Sequence, residues 1–202
     1  MIEVYKIKMK YYSRCNSYII LLLLFGFIQL SITMEMQANR IIEKTPKWFF
    51  ASYEKIQSIN IELDNRVYIM TKKDLLCYTS DGTLLWKFHP HIGTISSFKV
   101  VDEWYIYVQT SYYFYALNDE GKVKWDFQAS LGEKIKSYKI DDSGNVYIMT
   151  TTEFYSLDPF NGNENWYFNP RSEIKYFKIA DDAIIYIKTS DVLYAIDPYE
   201  EN

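Results

Sequence analysis

Cysteine and histidine are scarce, with two of each in 202 residues. Cys15 precedes the only sustained apolar run and Cys77 sits in a strand-like segment, so the chain has no disulfide framework. The same scarcity leaves no Ser/His/Asp, Cys/His or metal-ligating cluster to assemble, and the expectation is a chain that is not an enzyme and takes no cofactor or metal. Pro (5) and Gly (7) are few, which excludes collagen-like and low-complexity classes. No Gly-rich phosphate-binding loop and no Asn-x-Ser/Thr sequon occurs. The net charge of −4 carries no basic surplus and argues against a nucleic-acid partner.

A long apolar run is also missing. The longest, Tyr18 to Leu30, falls short of the roughly 20 residues that a spanning helix needs. Lys6, Lys8, Lys10 and Arg14 precede it, which is the layout of a signal peptide. No clean small-x-small cleavage site follows, Ser31-x-Thr33 being the nearest, so a retained membrane anchor stays open beside a cleaved signal. Either reading makes residues 1–40 a hydrophobic helix with a short linker. It also exports residues 41–202, so an extracytoplasmic location is expected: secreted, periplasmic or membrane-anchored.

What is abundant is aromatic and β-branched material: 49% of residues are hydrophobic and 18% aromatic, with 20 Tyr. That composition favours strands over long helices and suffices for a real core. Its arrangement is periodic. VYIM at Val67, IYVQ at Ile106, VYIM at Val146 and IYIK at Ile185 are spaced 39, 40 and 39 residues apart. A second series, LLCY at Leu75, FYAL at Phe114, FYSL at Phe154 and LYAI at Leu193, keeps the same steps. Before each pair lies an alternating segment, at 56–61, 95–100, 135–140 and 174–179, and alternation signals a strand.

The fourth segment of each unit carries Trp: Trp48, Trp86, Trp125 and Trp166. Four strands, A to D, in about 40 residues are the signature of a β-propeller blade. The predicted fold class is therefore all-β, a propeller of about four four-stranded antiparallel blades. A recurrent Trp suits this fold because a wide, flat side chain fills the wedge between neighbouring sheets.

Ser156, Asp158, Gly162 and Trp166 match a small-x-Asp-x-x-x-Gly-x-x-x-Trp repeat. Ala116, Asn118, Gly121 and Trp125 follow it with one residue fewer, and Cys77, Thr79, Gly82 and Trp86 are a weaker copy. On these residues the chain resembles PQQ-like (quinoprotein-type) β-propellers. It is nearest in character to the non-enzymatic scaffold lipoproteins of outer-membrane protein assembly. The resemblance implies turns and blade packing rather than an activity. Quinone- and Ca²⁺-binding dehydrogenases share the repeat, but this chain lacks their adjacent Cys pair. Three readings follow: a non-enzymatic extracytoplasmic scaffold or protein-binding module, a luminal or surface sensor domain, and a truncated relative of a quinoprotein oxidoreductase.

Loops of a meandering blade alternate between two rims. The A–B and C–D turns carry a row of acids, Asp64, Asp81, Asp119, Asp141, Asp158, Asp182 and Asp197 among them, and turn preference accounts for most of that row. The B–C and D–A loops differ in character. Lys72, Lys73, His89, His91, Tyr112, Tyr113, Lys134 and Arg171 make this rim aromatic and basic, the composition of a partner-binding surface. His89-Pro90-His91 reads as a loop rather than a metal site, since no third ligand is evident.

The two ends of the repeat region complement each other, with a lone D-type segment at Trp48 and a final A–B–C set without Trp. Pairing Lys47–Phe50 beside Leu193–Asp197 predicts sixteen strands and a ring of four blades closed by its own termini. The competing arrangement is an open half-ring that pairs with a second copy as a homodimer. Cys77 holds the small-residue position of Ala116 and Ser156 and is expected to be buried.

Overall fold

The computed structural model describes residues 44–62, 64–101 and 105–200. The predicted N-terminal hydrophobic helix, signal or anchor lies outside them. The chain divides at Thr45/Pro46, and the architecture below belongs to the second unit, Pro46–Asn202.

Among the described residues there are fifteen strands and no helix. Strands β1 (Ser58–Ile61), β2 (Val67–Met70), β3 (Leu75–Tyr78) and β4 (Leu84–Phe88) form the first sheet. The second comprises β5 (Ile95–Val100), β6 (Ile106–Thr110), β7 (Tyr113–Leu117) and β8 (Val123–Gln128). The third comprises β9 (Ser137–Ile140), β10 (Val146–Met149), β11 (Phe154–Leu157) and β12 (Glu164–Phe168). The fourth has three strands, β13 (Tyr176–Ile179), β14 (Ile185–Lys188) and β15 (Leu193–Ile196). Every sheet is an antiparallel meander in chain order.

The register repeats with the sequence. Cys77 faces Trp86, Ala116 faces Trp125 and Ser156 faces Trp166, and each of these ladders shifts by one residue directly after that pair. A small residue opposite each Trp leaves room for the indole, and the shift bends the outer strand toward the next sheet. Strands β6 and β10, the second strands of the two inner sheets, are buried on both faces because those sheets are covered on both sides, whereas β14 of the fourth sheet alternates buried and exposed. Three apolar clusters result, one in each gap between consecutive sheets. Cys77 lies in the first, fully buried.

Two expectations about the ends are corrected. Lys47–Phe50 forms no strand, and β15 pairs only with β14 among the described residues, so the ring is not closed through the chain's own Trp48 segment. Side-chain contacts hold that segment on the first sheet. Trp48 stacks on Tyr78 with ring centroids 5.8 Å apart, its indole N–H donates to Ser80 O at 3.1 Å, and Phe50 lies 5.7 Å from the same Tyr ring. The first, third and fourth A strands also begin two residues later than the alternation suggests, at Ser58, Ser137 and Tyr176. Ile135 N–H, like Ile95 N–H and Ile174 N–H, donates to a carbonyl in the preceding sheet's B–C turn, at Ser111 O, Lys72 O and Thr151 O respectively.

Candidate protein-interaction site

The repeat motif is a set of joints between blades. A Cβ placed on Gly162 would lie 2.5 Å from Trp125 Cε3, one on Gly121 2.6 Å from Trp86 Cδ2, and one on Gly82 2.6 Å from Trp48 Cγ. Each of these three Trp therefore lies flat on the glycine of the following blade, a separation that no side chain fits. Each indole N–H also finds an acceptor there: Trp86 donates to Asp119 O at 2.7 Å and Trp125 to Pro159 O at 2.9 Å. Gly162 has φ +74°, which favours glycine a second time. Trp166 packs on Tyr147 and Phe154 of its own sheet, with centroids 6.2 and 6.0 Å apart.

Two further repeating elements escaped the sequence reading. Two residues after each Trp stands Phe, and Phe88, Phe127 and Phe168 meet Tyr115, Tyr155 and Tyr194 edge-on at 4.9 to 5.2 Å. The second element is Thr71, Thr110, Thr150 and Thr189, all buried at the end of the B strand. Each hydroxyl accepts the N–H three residues on, from Asp74, Tyr113, Glu153 and Val192, and so ties the B–C turn. The signal was present as a Thr directly after VYIM, IYVQ, VYIM and IYIK.

On the acidic rim, carboxylates serve the turns. Asp158 Oδ1 accepts from Phe160 and Asn161 N–H, Asp141 Oδ1 from Ser143 and Asn145 N–H, and Asp64, Asp182 and Asp197 act alike. Side chains spent this way are self-satisfied and present little to a ligand.

The opposite rim is built differently. Lys72 lines a cleft of about 570 Å³ between β1 and β5, together with Gln57, Ser58, Met70, Thr94, Ile95, Ser96, Ser97 and Phe98. Lys73 Nζ is 2.7 Å from Glu54 Oε1. His89 Nδ1 lies 2.9 Å from Asp74 Oδ1, and Lys87 Nζ lies 2.9 Å from Asp74 Oδ2. Burial alone would raise the Asp74 carboxyl, but the bonds from Lys87 and His89 outweigh it and its pKa is lowered. His91 turns the other way, edge-on to Tyr113 at 4.9 Å and within 3.3 Å of the Tyr115 hydroxyl. The two imidazoles therefore diverge.

Tyr112 is exposed, with Lys134 Nζ 6.0 Å from its ring centroid. Arg171 sits at φ +58°, its N–H donating to Asn169 Oδ1 at 2.7 Å. Tyr113 is corrected: it is buried rather than on the rim, because β7 starts there and its ring stacks on Tyr115 in the core between the first two sheets. The remaining rim residues are spread over successive blades and form no single cluster.

The chemistry available is limited. Burial is the main reason the Cys77 thiol is pushed up to about 11, opposed by the Tyr68 hydroxyl, so little thiolate forms at neutral pH. Glu133 is pulled down despite burial by the Thr152 N–H and the Thr150 and Thr152 hydroxyls, as a loop clamp. Among the described residues no three His, Cys, Asp or Glu side chains gather to hold a metal ion.

Stacked antiparallel meanders joined by a Trp from one sheet and a Gly from the next define a β-propeller. The chain belongs to the family described as outer membrane protein assembly factor BamB, whose profile matches residues 63–167. Among solved structures it is similar to BamB from Moraxella catarrhalis, at 16% identity and a TM-score of 0.57 over 74% of this chain and 48% of that one. It is also similar to the Pan2 WD40 domain of Neurospora crassa, at 15% identity and a TM-score of 0.54 over 72% and 47% of the two chains. The C-terminal WD40 domain of Sif2 aligns at 10% identity with a TM-score of 0.58 over 72% and 46%. At such identities the likeness is one of fold, and the chain spans about half the length of each of these proteins. No curated protein matches it.

Proposed function

We propose that this chain is a non-enzymatic protein-binding propeller acting outside the cytoplasm, with its aromatic and basic rim as the contact face. The observation that carries the reading is the contrast between the two rims. Acids on one are consumed by their own turns, whereas the other presents Lys72 beside an open cleft and Tyr112 with Lys134 above it. Exposed Tyr beside cationic side chains is the composition that protein interfaces favour. The non-enzymatic part is supported by the buried, high-pKa thiol and by the structural contacts of both imidazoles. Export is supported by the basic N-terminus ahead of Tyr18–Leu30 and by the family's description as an outer-membrane assembly factor.

The test is crosslinking on the intact cell envelope with the wild type, with Lys72→Glu/Tyr112→Ala/Lys134→Glu, and with Asp142→Lys/Asp181→Lys, both in A–B turns of the acidic rim. The basic-rim variant is expected to lose its crosslinked partner and the acidic-rim variant to keep it. Equal capture by both would overturn the rim assignment. Protection of the propeller from protease in both intact cells and spheroplasts would overturn export, and a copurifying quinone absorbance would overturn the non-enzymatic reading.

A further inference from the structure

Among the described residues, the fourth sheet has an unpaired edge at β15 and an uncovered face, and the first sheet carries a spare Trp-x-Phe segment and an uncovered face of its own. We propose that these surfaces dock on one another between two copies of this chain, Lys47–Phe50 of each copy serving as the outer strand of the other's fourth sheet. The inference is independent of what the basic rim binds.

The internal interfaces supply the pattern. In the third sheet Tyr147 and Phe154 are 2% and 0% exposed, packed on Phe177 and Ile185 of the fourth. One repeat later, on the same face, Tyr186 and Leu193 are 37% and 64% exposed. The receiving side shows the same step. Phe177 is 2% exposed, whereas its counterpart in the first sheet, Ile59, is 63% exposed, with Ile61 beside it equally open. Each chain thus carries both halves of a blade interface, on opposite ends of its stack of sheets.

The edge completes the match. Every inner C strand sets a small residue opposite Trp and a large one opposite Phe: Cys77 with Trp86, Leu75 with Phe88, Ala116 with Trp125, Phe114 with Phe127. Strand β15 offers Ala195 and Leu193 in those places, with no strand on its outer edge among the described residues. Trp48 already rests on Gly82 of its own first sheet, as Trp86 and Trp125 rest on the glycine of the sheet that follows theirs, and Phe50 lies beside it on Tyr78. Only the backbone ladder is missing, and the register it must take is Ala195 opposite Trp48, Tyr194 opposite Phe49 and Leu193 opposite Phe50.

A head-to-tail contact of this kind closes under a twofold rotation when each chain supplies half a ring. The chain aligns to 48% of a propeller of its own family, and two copies of four sheets reach the eight blades of the largest common propellers. Mutual pairing also removes the two sheet edges that otherwise invite uncontrolled association.

Directly opposed residues on paired strands bring Cβ atoms within disulfide range. Phe49→Cys and Tyr194→Cys are placed in separate, differently tagged full-length chains carrying Cys15→Ser and Cys77→Ala, co-expressed and oxidised. A reducible product bearing both tags is expected, and Leu131→Cys, at an exposed position on the loop after β8, should not replace either partner. Adding Leu193→Asp should abolish the product and leave the far-ultraviolet circular dichroism unchanged. Crosslinking no better than with Leu131→Cys overturns the proposal. So does an intrachain disulfide in the Phe49→Cys/Tyr194→Cys double variant, which would place the segment on its own β15.

Discussion

The third and fourth sheets carry nearly the same sequence on the same strands and live in different surroundings. Tyr147, Met149 and Phe154 are sealed beneath the fourth sheet, whereas Tyr186, Lys188 and Leu193 face outward on the next one. Burial in a repeat array belongs to the joint between units, not to the unit. One residue marks the difference in the sequence itself. Lys188 stands where Met70 and Met149 are buried, and a Lys can keep its ammonium in water while its stem lies along an apolar face.

The two sheets should differ most at a sealed aromatic. Phe154→Ala should cost about 3 to 5 kcal/mol in urea unfolding because a fully buried ring leaves a cavity between two sheets. Leu193→Ala, at the matching position, should stay within about 0.5 kcal/mol at concentrations where copies do not associate. Equal losses would mean that the fourth face is covered in solution.

The glycine joints give the next effect. Gly162→Ala places a methyl against Trp125 and keeps φ at +74°, so the indole must leave its seat. Gly144→Ala meets nothing within 4 Å and bears only the left-handed strain of about 1 to 2 kcal/mol. Gly162→Ala should lower the urea midpoint clearly more, and a match between the two would show that the Trp–Gly seat contributes nothing.

Removing the Thr150 hydroxyl by Thr150→Val strips a buried turn of its bonds to Glu153 and Glu133 and should cost about 1 to 3 kcal/mol. Thr189→Val, in the fourth sheet, keeps the same turn but has no Glu clamp, and its loss should be smaller. Urea midpoints of the two variants decide.

The smallest expected effect is alkaline. Burial raises the Cys77 thiol from 9.0 to about 11, and raises Tyr68 and Tyr115 from 10.0 to about 12. Groups held protonated by folding stabilise fully below their unfolded pKa, and that stabilisation fades as pH climbs through the folded value. Stability should therefore be level below pH 9, begin to fall between 9 and 11 through Cys77, and fall further between 10 and 12 through the tyrosines. Cys77→Ala should move the onset up by about one pH unit in urea midpoints taken across that range.

Much of this was legible beforehand because the signals are local and periodic. The alternation around Val67, Ile106, Val146 and Ile185 gave the strands, and the spacing of Trp to Gly gave the joints, since each repeat must solve the same packing problem as its neighbour. The Thr turns are not legible one at a time, because a single Thr after a strand is common and only its fourfold recurrence is informative. Tyr113 was misplaced for a finer reason. It lies one residue from exposed Tyr112, and which of two adjacent tyrosines turns inward depends on where β7 starts.

By itself the sequence determined the blade: strand count, meander order, small residue opposite Trp, and turn acids on one rim. All of these follow from the chemistry of residues within about 40 positions of one another. The tertiary structure alone decided which faces are covered and where Trp48 goes. A strand-like segment with Trp and Phe can pair its backbone with one sheet while its rings lie on the next, as β4 and β8 do, or lay only its rings on a neighbour. Here the stacking on Tyr78 and the seat at Gly82 hold it on the first sheet, while β15 keeps one edge unpaired among the described residues. That choice rests on surfaces more than a hundred residues apart, and local pattern carries no information about it.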